Sequence, residues 1–334
     1  MTRTDRQPAA RILGTGHYLP ATVRTNRDLE KIIDTSDEWI ASRTGIRQRH
    51  VAAESEASSD MATHASRRAL EAAGISAKDL DLIVVGTISP DMPMPSTAMF
   101  VQRNLGARRD CPGFDLSAAC AGFIYGLSIA DNFVRSGQAR YVLVVGVELL
   151  SRLVDWSDRS TCVLFGDGAG AAVIGPASGD GRGLFSTHIY ADGSKIESLY
   201  IPGGGSRTPP SEEMLRAKQH LVHMTGKDVF RYAVRGLSSS VRTALEANGL
   251  PPEEVDWVIP HQANIRILEA VQKRTGIPME RFFINIDQTA NTSSASVPIA
   301  LDQAARAGKL QAGQSLVFCA LGGGIAWGSA LVRW

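Results

Sequence analysis

Residues 69–81 read ALEAAGISAKDLD, and residues 244–256 read ALEANGLPPEEVD, 175 positions further on (244 − 69). Each stretch ends an amphipathic helix, stops at glycine, turns and runs into a buried strand, at 82–85 and at 257–259. A second echo lies downstream. SGQARYVLVVG at 136–146 aligns with AGQSLVFCALG at 312–322, at an offset of 176 (312 − 136). Two echoes at nearly one offset read as a duplicated βαβ architecture. The halves divide at the Gly-rich stretch 178–183, giving 1–178 and 179–334. Within the second half, 190–225 reads as an insertion of loop and surface helix, with glycines at 203–205 and prolines at 209–210. At 35–40, Thr35 and Glu38 have capping-box spacing ahead of a helix.

Strand-like runs alternating with helix-like runs place the chain in the α/β class. Its 334 residues, 44% hydrophobic and 21% charged, suit two such units with a large core. Lys and Arg total 35 against 34 Asp and Glu, so no basic excess points to nucleic acid or to a membrane surface. Apolar runs are of strand length, and the polar start at 1–8 predicts no secretory leader. Cys111, Cys120, Cys162 and Cys319 lack CxxC spacing, which argues against zinc and disulfides and favours a reducing cytoplasm.

Ligands in open α/β sheets favour strand ends, and duplicated halves bring two sets of strand ends to one cleft. Cys120, in DLSAACAG (115–122), lies where a strand gives way to a helix, among small neighbours. A helix N-terminus favours the thiolate, the nucleophilic form of cysteine. The other three cysteines read as core, Cys319 inside a strand run and Cys162 in a CVLF strand. His261 follows a strand end in IPHQAN (259–264), and Asn291 occupies a small-residue turn in ANTSSAS (290–296). Asn291 either caps the following helix or donates its amide into the cleft. Gly322, Gly323 and Gly324 end another strand, where bare N–H groups can approach a ligand oxygen. Gly166-x-Gly168-x-Gly170 has neither a downstream acid nor Lys-Ser/Thr, and reads as close chain packing. His220 and His223 have no third ligand spaced to help and read as surface.

With TSDEWI (35–40), RTGI (43–46), FGDGAGA (165–171), HQAN (261–264) and NTS (291–293) in order, nearly the whole chain resembles the β-ketoacyl-acyl-carrier-protein synthases III of the thiolase superfamily. The resemblance implies a five-layer αβαβα fold and a catalytic set of Cys120, His261 and Asn291. It implies an acyltransferase that condenses an acyl-CoA primer with malonyl-acyl carrier protein, releasing CoA and CO2 through an acyl-Cys120 intermediate. Cys120 and Gly323 would hold the tetrahedral oxyanion. Thr35, Trp39, Arg43, Arg159, Phe230, Asn264 and Ile267 would bind CoA, with Trp39 and Arg159 sandwiching adenine. Arg266, Arg231, Lys273 and Arg274 would meet the carrier protein. Met94 would gate the acyl pocket across a homodimer. Acyl-CoA is then a substrate, and no cofactor or metal is implied.

Competing readings are a thiolase, a specialised-metabolism relative using another primer or acceptor, a non-condensing acyltransferase, and a non-enzymatic carrier-binding module. A thiolase needs a second cysteine two residues before the C-terminal glycine run. Cys319 is three before Gly322, and strand alternation turns it to the opposite face.

Overall fold

The computed structural model of the chain describes residues 7–334. Residues 1–6, most of the stretch read above as lacking a leader, lie outside the described residues.

Two sheets carry the fold. The first contains β1 (Ala10–Tyr18), β2 (Leu82–Gly86), β3 (Gly113–Leu116), β4 (Val142–Glu148) and β5 (Gly168–Pro176), in the order β1-β5-β4-β2-β3. The second contains β6 (Gly183–Ala191), β7 (Trp257–Pro260), β8 (Ser315–Gly322) and β9 (Ala326–Arg333), in the order β6-β9-β8-β7. From the first strand of each sheet inward, the pairings run antiparallel, antiparallel, then parallel. Where the first sheet adds the parallel strand β3, the second has only a parallel bridge between Val258 and Phe282.

The helices of eight residues or more are α1 (Asp37–Thr44), α2 (Ser58–Ala73), α3 (Thr97–Leu105), α4 (Gly122–Arg135), α5 (Gly226–Asn248), α6 (Ile265–Thr275) and α7 (Ser296–Arg306). The two glycine stops of the repeated segment are equivalent in detail. Gly74 (φ +65°) and Gly249 (φ +61°) both adopt the left-handed conformation that glycine takes at least cost. Their N–H groups donate to Glu71 and Leu70 carbonyls in one case, and to Glu246 and Leu245 carbonyls in the other.

Strand alternation builds the layers. Val142 and Val144 face inward with Leu316, Phe318 and Ala330, enclosing Ile124 and Leu127 of α4 and Val297 and Leu301 of α7. Leu143, Val145 and Ile83 face outward onto Met61, Ala65 and Ala69 of α2. Val258, Val317 and Cys319 face outward onto Leu237 and Val241 of α5 and Val271 of α6. The result is the five-layer αβαβα arrangement. Each fully buried Val or Leu in it contributes roughly 1.5–3 kcal/mol.

Four local expectations are corrected. The N-cap of α1 is Ser36, whose Oγ accepts the Trp39 N–H at 3.1 Å, and not Thr35. One residue further on, the hydroxyl is in line with the N3 donor. CVLF at 162–165 is a run of turns ending in a bridge between Phe165 and Asn291, because the Cys162 and Leu164 N–H groups donate back to the Asp158 and Thr161 carbonyls instead of to a neighbouring strand. The insertion at 190–225 contains a small ribbon as well, Leu199–Tyr200 against His223–Met224. Finally, the echo aligns Leu82 with Trp257 and Val142 with Phe318, yet Leu82 pairs with Val142 while Trp257 pairs with Leu316. The shift of two residues keeps every side chain on its face, so it costs the core nothing.

Candidate active site

Cys120 sits in a single 3-10 turn, Ala119–Ala121, directly ahead of the fourteen-residue helix α4. It is 5% exposed and borders a cavity of about 830 Å³. The chain reaches it through Ala119 at φ +45°, a left-handed conformation that a residue with a side chain adopts at a cost. Ala290 (φ +56°), Ser293 (φ +48°) and Ile325 (φ +50°) share that region of conformational space. Four strained residues thus flank Cys120, Asn291 and the glycine run.

The halves interlock here. A Cβ on Gly322 would lie 2.3 Å from the Cys120 backbone nitrogen, and one on Gly146 would lie 2.2 Å from the Ser294 carbonyl oxygen. These glycines occupy matching places in the echo, and each receives the turn before the central helix of the opposite half. The first contact brings the glycine run against the Cys120 N–H, and Gly323 and Gly324 join Cys120 in lining the cavity. A Cβ on Gly170 would lie 2.7 Å from the Ile299 backbone nitrogen, so that motif does serve close packing.

His261 leaves β7 with its N–H donating to the Cys319 carbonyl at 2.7 Å, and its ring is 1% exposed. Burial pushes the imidazole down to about 3, so it is neutral at physiological pH. Its Nδ1 lies 2.6 Å from the Ser296 hydroxyl, which is also 2.9 Å from the Ser293 carbonyl. One hydroxyl proton cannot serve both acceptors. When Ser296 donates to Nδ1, the imidazole proton is on Nε2.

Asn291 is 7% exposed and clamped by the first half: its N–H donates to the Leu164 carbonyl and its carbonyl accepts the Gly166 N–H. Its Oδ1 accepts the Ser293 N–H at 2.8 Å, which leaves the Nδ2 end to donate elsewhere.

All four cysteines are free and buried, and burial raises every thiol: Cys111 and Cys162 to about 11, Cys120 and Cys319 to about 12. At Cys120 the nearby Ser293 hydroxyl opposes the rise and the Glu148 charge adds to it. What separates Cys120 from the rest is therefore access and partners, not a depressed resting acidity. Cys319 packs in the outer core of the second sheet, away from the cleft, so the thiolase reading lacks its second cysteine.

The residues expected to meet CoA lie outside the cavity lining. The Arg159 guanidinium stacks over the Trp39 ring at 4.6 Å and donates to the Asp34 carbonyl at 2.8 Å. A base between them needs about twice a contact distance of 3.5–4.0 Å, so Arg159 must swing away to admit one. Thr35 has a buried hydroxyl with no protein partner. Arg43 is exposed in the last turn of α1, and the following Gly45 abuts Ile265 at the start of α6. Asn264 caps α6 through the Arg266 N–H, and Phe230 is 40% exposed. Ile267 is buried in the outer core and not on an open wall.

Arg231, Arg266, Lys273 and Arg274 are exposed on the two outer helices α5 and α6, with Arg231 paired to Asp228 at 3.0 Å. Met94, 83% exposed, lines the mouth of its own chain's cavity.

Sequence reasoning passed over Leu199 and Tyr200 of the small ribbon, Val222 just ahead of its second strand, and Phe114 and Phe165, all of which wall the cavity. It also passed over Glu148, fully buried beside Cys120. Glu148 carries one signal: an acid closing an unbroken apolar strand.

Comparisons with known proteins fit this geometry. The family described as 3-Oxoacyl-[acyl-carrier-protein (ACP)] synthase III matches residues 114–193, and its C-terminal counterpart matches 245–334. The chain is 55% identical over 325 residues to a β-ketoacyl-[acyl-carrier-protein] synthase III of Xanthomonas campestris, covering 97% of this chain and 98% of that one. It is 51% identical over 326 residues to the protein of the same name from Caldanaerobacter subterraneus, covering 98% of each. The crystal structure of 3-oxoacyl-[acyl-carrier-protein] synthase III from Aquifex aeolicus superposes with a TM-score of 0.90 at 48% identity, over 97% of this chain and 100% of that one. The fold is the thiolase fold.

Proposed function

The chain belongs to the 3-oxoacyl-[acyl-carrier-protein] synthase III family, and from that we propose how its own residues divide the work. The enzyme is a condensing acyltransferase of fatty acid biosynthesis. It joins an acyl-CoA primer to malonyl-acyl carrier protein, giving a 3-oxoacyl-acyl carrier protein, CoA and CO2. Cys120 attacks the primer thioester, and CoA leaves. The N–H groups of Cys120 and Gly323 hold the tetrahedral oxyanion. Neutral His261, protonated on Nε2, and the Asn291 amide then donate to the malonyl thioester oxygen as decarboxylation places charge on it. That role selects the arrangement in which Ser296 donates to His261 Nδ1. The carbanion attacks the acyl group, and Cys120 is released.

One observation carries this reading: a cysteine at a strained turn borders the cavity, with the opposite half's glycine run packed on its N–H. Trp39, Arg159, Arg43 and Thr35 are read as the nucleotide end of the CoA site, with Phe230, Asn264 and Ile267 near it. The basic helices α5 and α6 are read as the carrier-protein face. Exposed Met92, Met94 and Ile196 near the cavity support a homodimer closing over an apolar rim. The halves 1–178 and 179–334 are read as the two thiolase-like units. Among the described residues no helix is long and apolar enough to cross a membrane, and cytoplasmic residence is proposed with the free thiols.

The test is incubation with acyl-CoA followed by intact mass. Wild type gains one acyl group on Cys120, and Cys120→Ala gains none. Label in the variant, or label on Cys111, Cys162 or Cys319, overturns the assignment.

A further inference from the structure

We propose that Ser293 and Glu148 are the route by which the Cys120 thiol gives up its proton during acylation, an inference that rests on Cys120 being the nucleophile. Glu148 ends β4 and is fully buried. Its Oε2 accepts from the Ser89 hydroxyl at 2.7 Å, the Ile88 N–H at 3.1 Å and the Thr87 hydroxyl at 3.5 Å. Its Oε1 accepts from the Ser293 hydroxyl at 3.0 Å. Ser293 in turn lines the same cavity as Cys120, and its hydroxyl acts to lower the pKa of that thiol. A hydroxyl therefore stands between the reacting sulfur and a buried carboxylate.

The groups facing Glu148 are those of the loop after β2 (Thr87, Ile88, Ser89), those of the turn before α7 (Ser293, Ser294) and Cys120 from the turn before α4. His261 lies two residues' contacts further, through Ser296. Among the described residues no ion pair involves Glu148. A carboxylate buried without a cation is costly, and a structural hydrogen-bond acceptor does not need that charge. Burial raises its pKa to about 7, so it is about half ionised in neutral solution and basic enough to accept a proton. The duplication underlines the placement. In the echo Glu148 matches Gly324, so one strand end brings amide donors to the cleft and its mate brings a base.

The step balances within the protein. As sulfur attacks the thioester carbon, the S–H proton passes to Ser293 Oγ, and the Ser293 proton passes to Glu148 Oε1. The departing CoA sulfur takes a proton from Ser293, which regains one from Glu148. The buried cluster holds one negative charge until the sulfur bonds to carbon. Transfer accompanies attack and does not precede it, because burial disfavours the resting thiolate. In this route Ser293 is the group that takes the proton from sulfur, and Glu148 acts through it.

A purely electrostatic role has the opposite sign, since the Glu148 charge raises the thiol's pKa and its removal would activate Cys120. The experiment is iodoacetamide alkylation of Cys120, localised by peptide mass, across the pH range either side of 7. Acyl-CoA acylation is followed in parallel, and each variant's fold is checked by thermal unfolding. Wild-type rates should fall as pH drops through about 7, where Glu148 takes up a proton. Glu148→Gln and Ser293→Ala should react roughly 10²-fold more slowly at neutral pH. Glu148→Gln should also lose that pH limb, and Glu148→Asp should restore it. Glu148→Gln reacting as fast as wild type or faster overturns the proposal. Should that variant fail to fold, wild-type rates in Ser293→Ala overturn it equally. Loss of all Cys120 labelling in wild type would instead sink the nucleophile assignment.

Discussion

Replacing Gly322 by alanine tests the interlock of the two halves. The new Cβ would lie 2.3 Å from the Cys120 nitrogen, 2.9 Å from the Ala119 Cβ and 3.1 Å from the Ala119 carbonyl carbon. Cβ atoms in real structures do not approach closer than 3.0 Å, so the backbone under Cys120 must move by at least 0.7 Å (3.0 − 2.3). These neighbours are backbone atoms and a Cβ, none of which can swing aside as a side-chain tip does. Overpacking of this kind costs about 1–3 kcal/mol of stability. A shift approaching 1 Å at a reacting group costs on the order of 10²-fold in rate. The assay is the rate of acyl-enzyme formation by intact mass, alongside the melting temperature. Gly175→Ala is the control. Its Cβ meets only side-chain tips, Leu13 at 2.5 Å and Tyr141 at 3.0 Å, which can move aside, so it should leave acylation alone and cost less stability than Gly322→Ala. Wild-type acylation in a folded Gly322→Ala protein would refute the claim that this glycine sets the nucleophile's position.

His261→Ala and Asn291→Ala should each slow release of CO2 from malonyl-acyl carrier protein by about 10²–10³-fold, the scale for losing one oxyanion donor. Labelling of Cys120 should survive in both, and normal decarboxylation in either would remove that residue from the assignment. Trp39→Ala and Arg43→Ala should raise KM for acyl-CoA severalfold, as loss of about 0.5–1 kcal/mol of exposed stacking or ionic contact implies. A short acyl donor without the nucleotide should be spared, and equal damage with both donors would assign these residues to the fold. Met94→Gly should shift competition between acetyl-CoA and longer or branched primers toward the latter, by roughly 1 kcal/mol per accommodated methylene. An unchanged primer ratio in a protein of unchanged oligomeric mass would leave Met94 as packing.

The sequence by itself determined the repeating unit. The glycine stops at Gly74 and Gly249, the alternation of Val142–Glu148 and the small-residue turn at Cys120 are properties of neighbouring residues, so periodicity and turn chemistry expose them. The order of motifs pointed to His261 and Asn291, and the structure buries both at turns of the second half, outside the lining of the cavity that Cys120 borders. Tertiary structure alone decided the rest. The two-residue register shift between β7 and β8 is invisible locally because it leaves both faces apolar. Ser36 displaced Thr35 as the cap because cap geometry depends on where the preceding chain enters. Glu148 and Ser293 are 145 positions apart, and their contact exists only because the first sheet's strand ends receive the turn before α7. No propensity encodes such a pairing: a carboxylate at a strand end reads as a solvated terminus until packing of the opposite half removes the solvent.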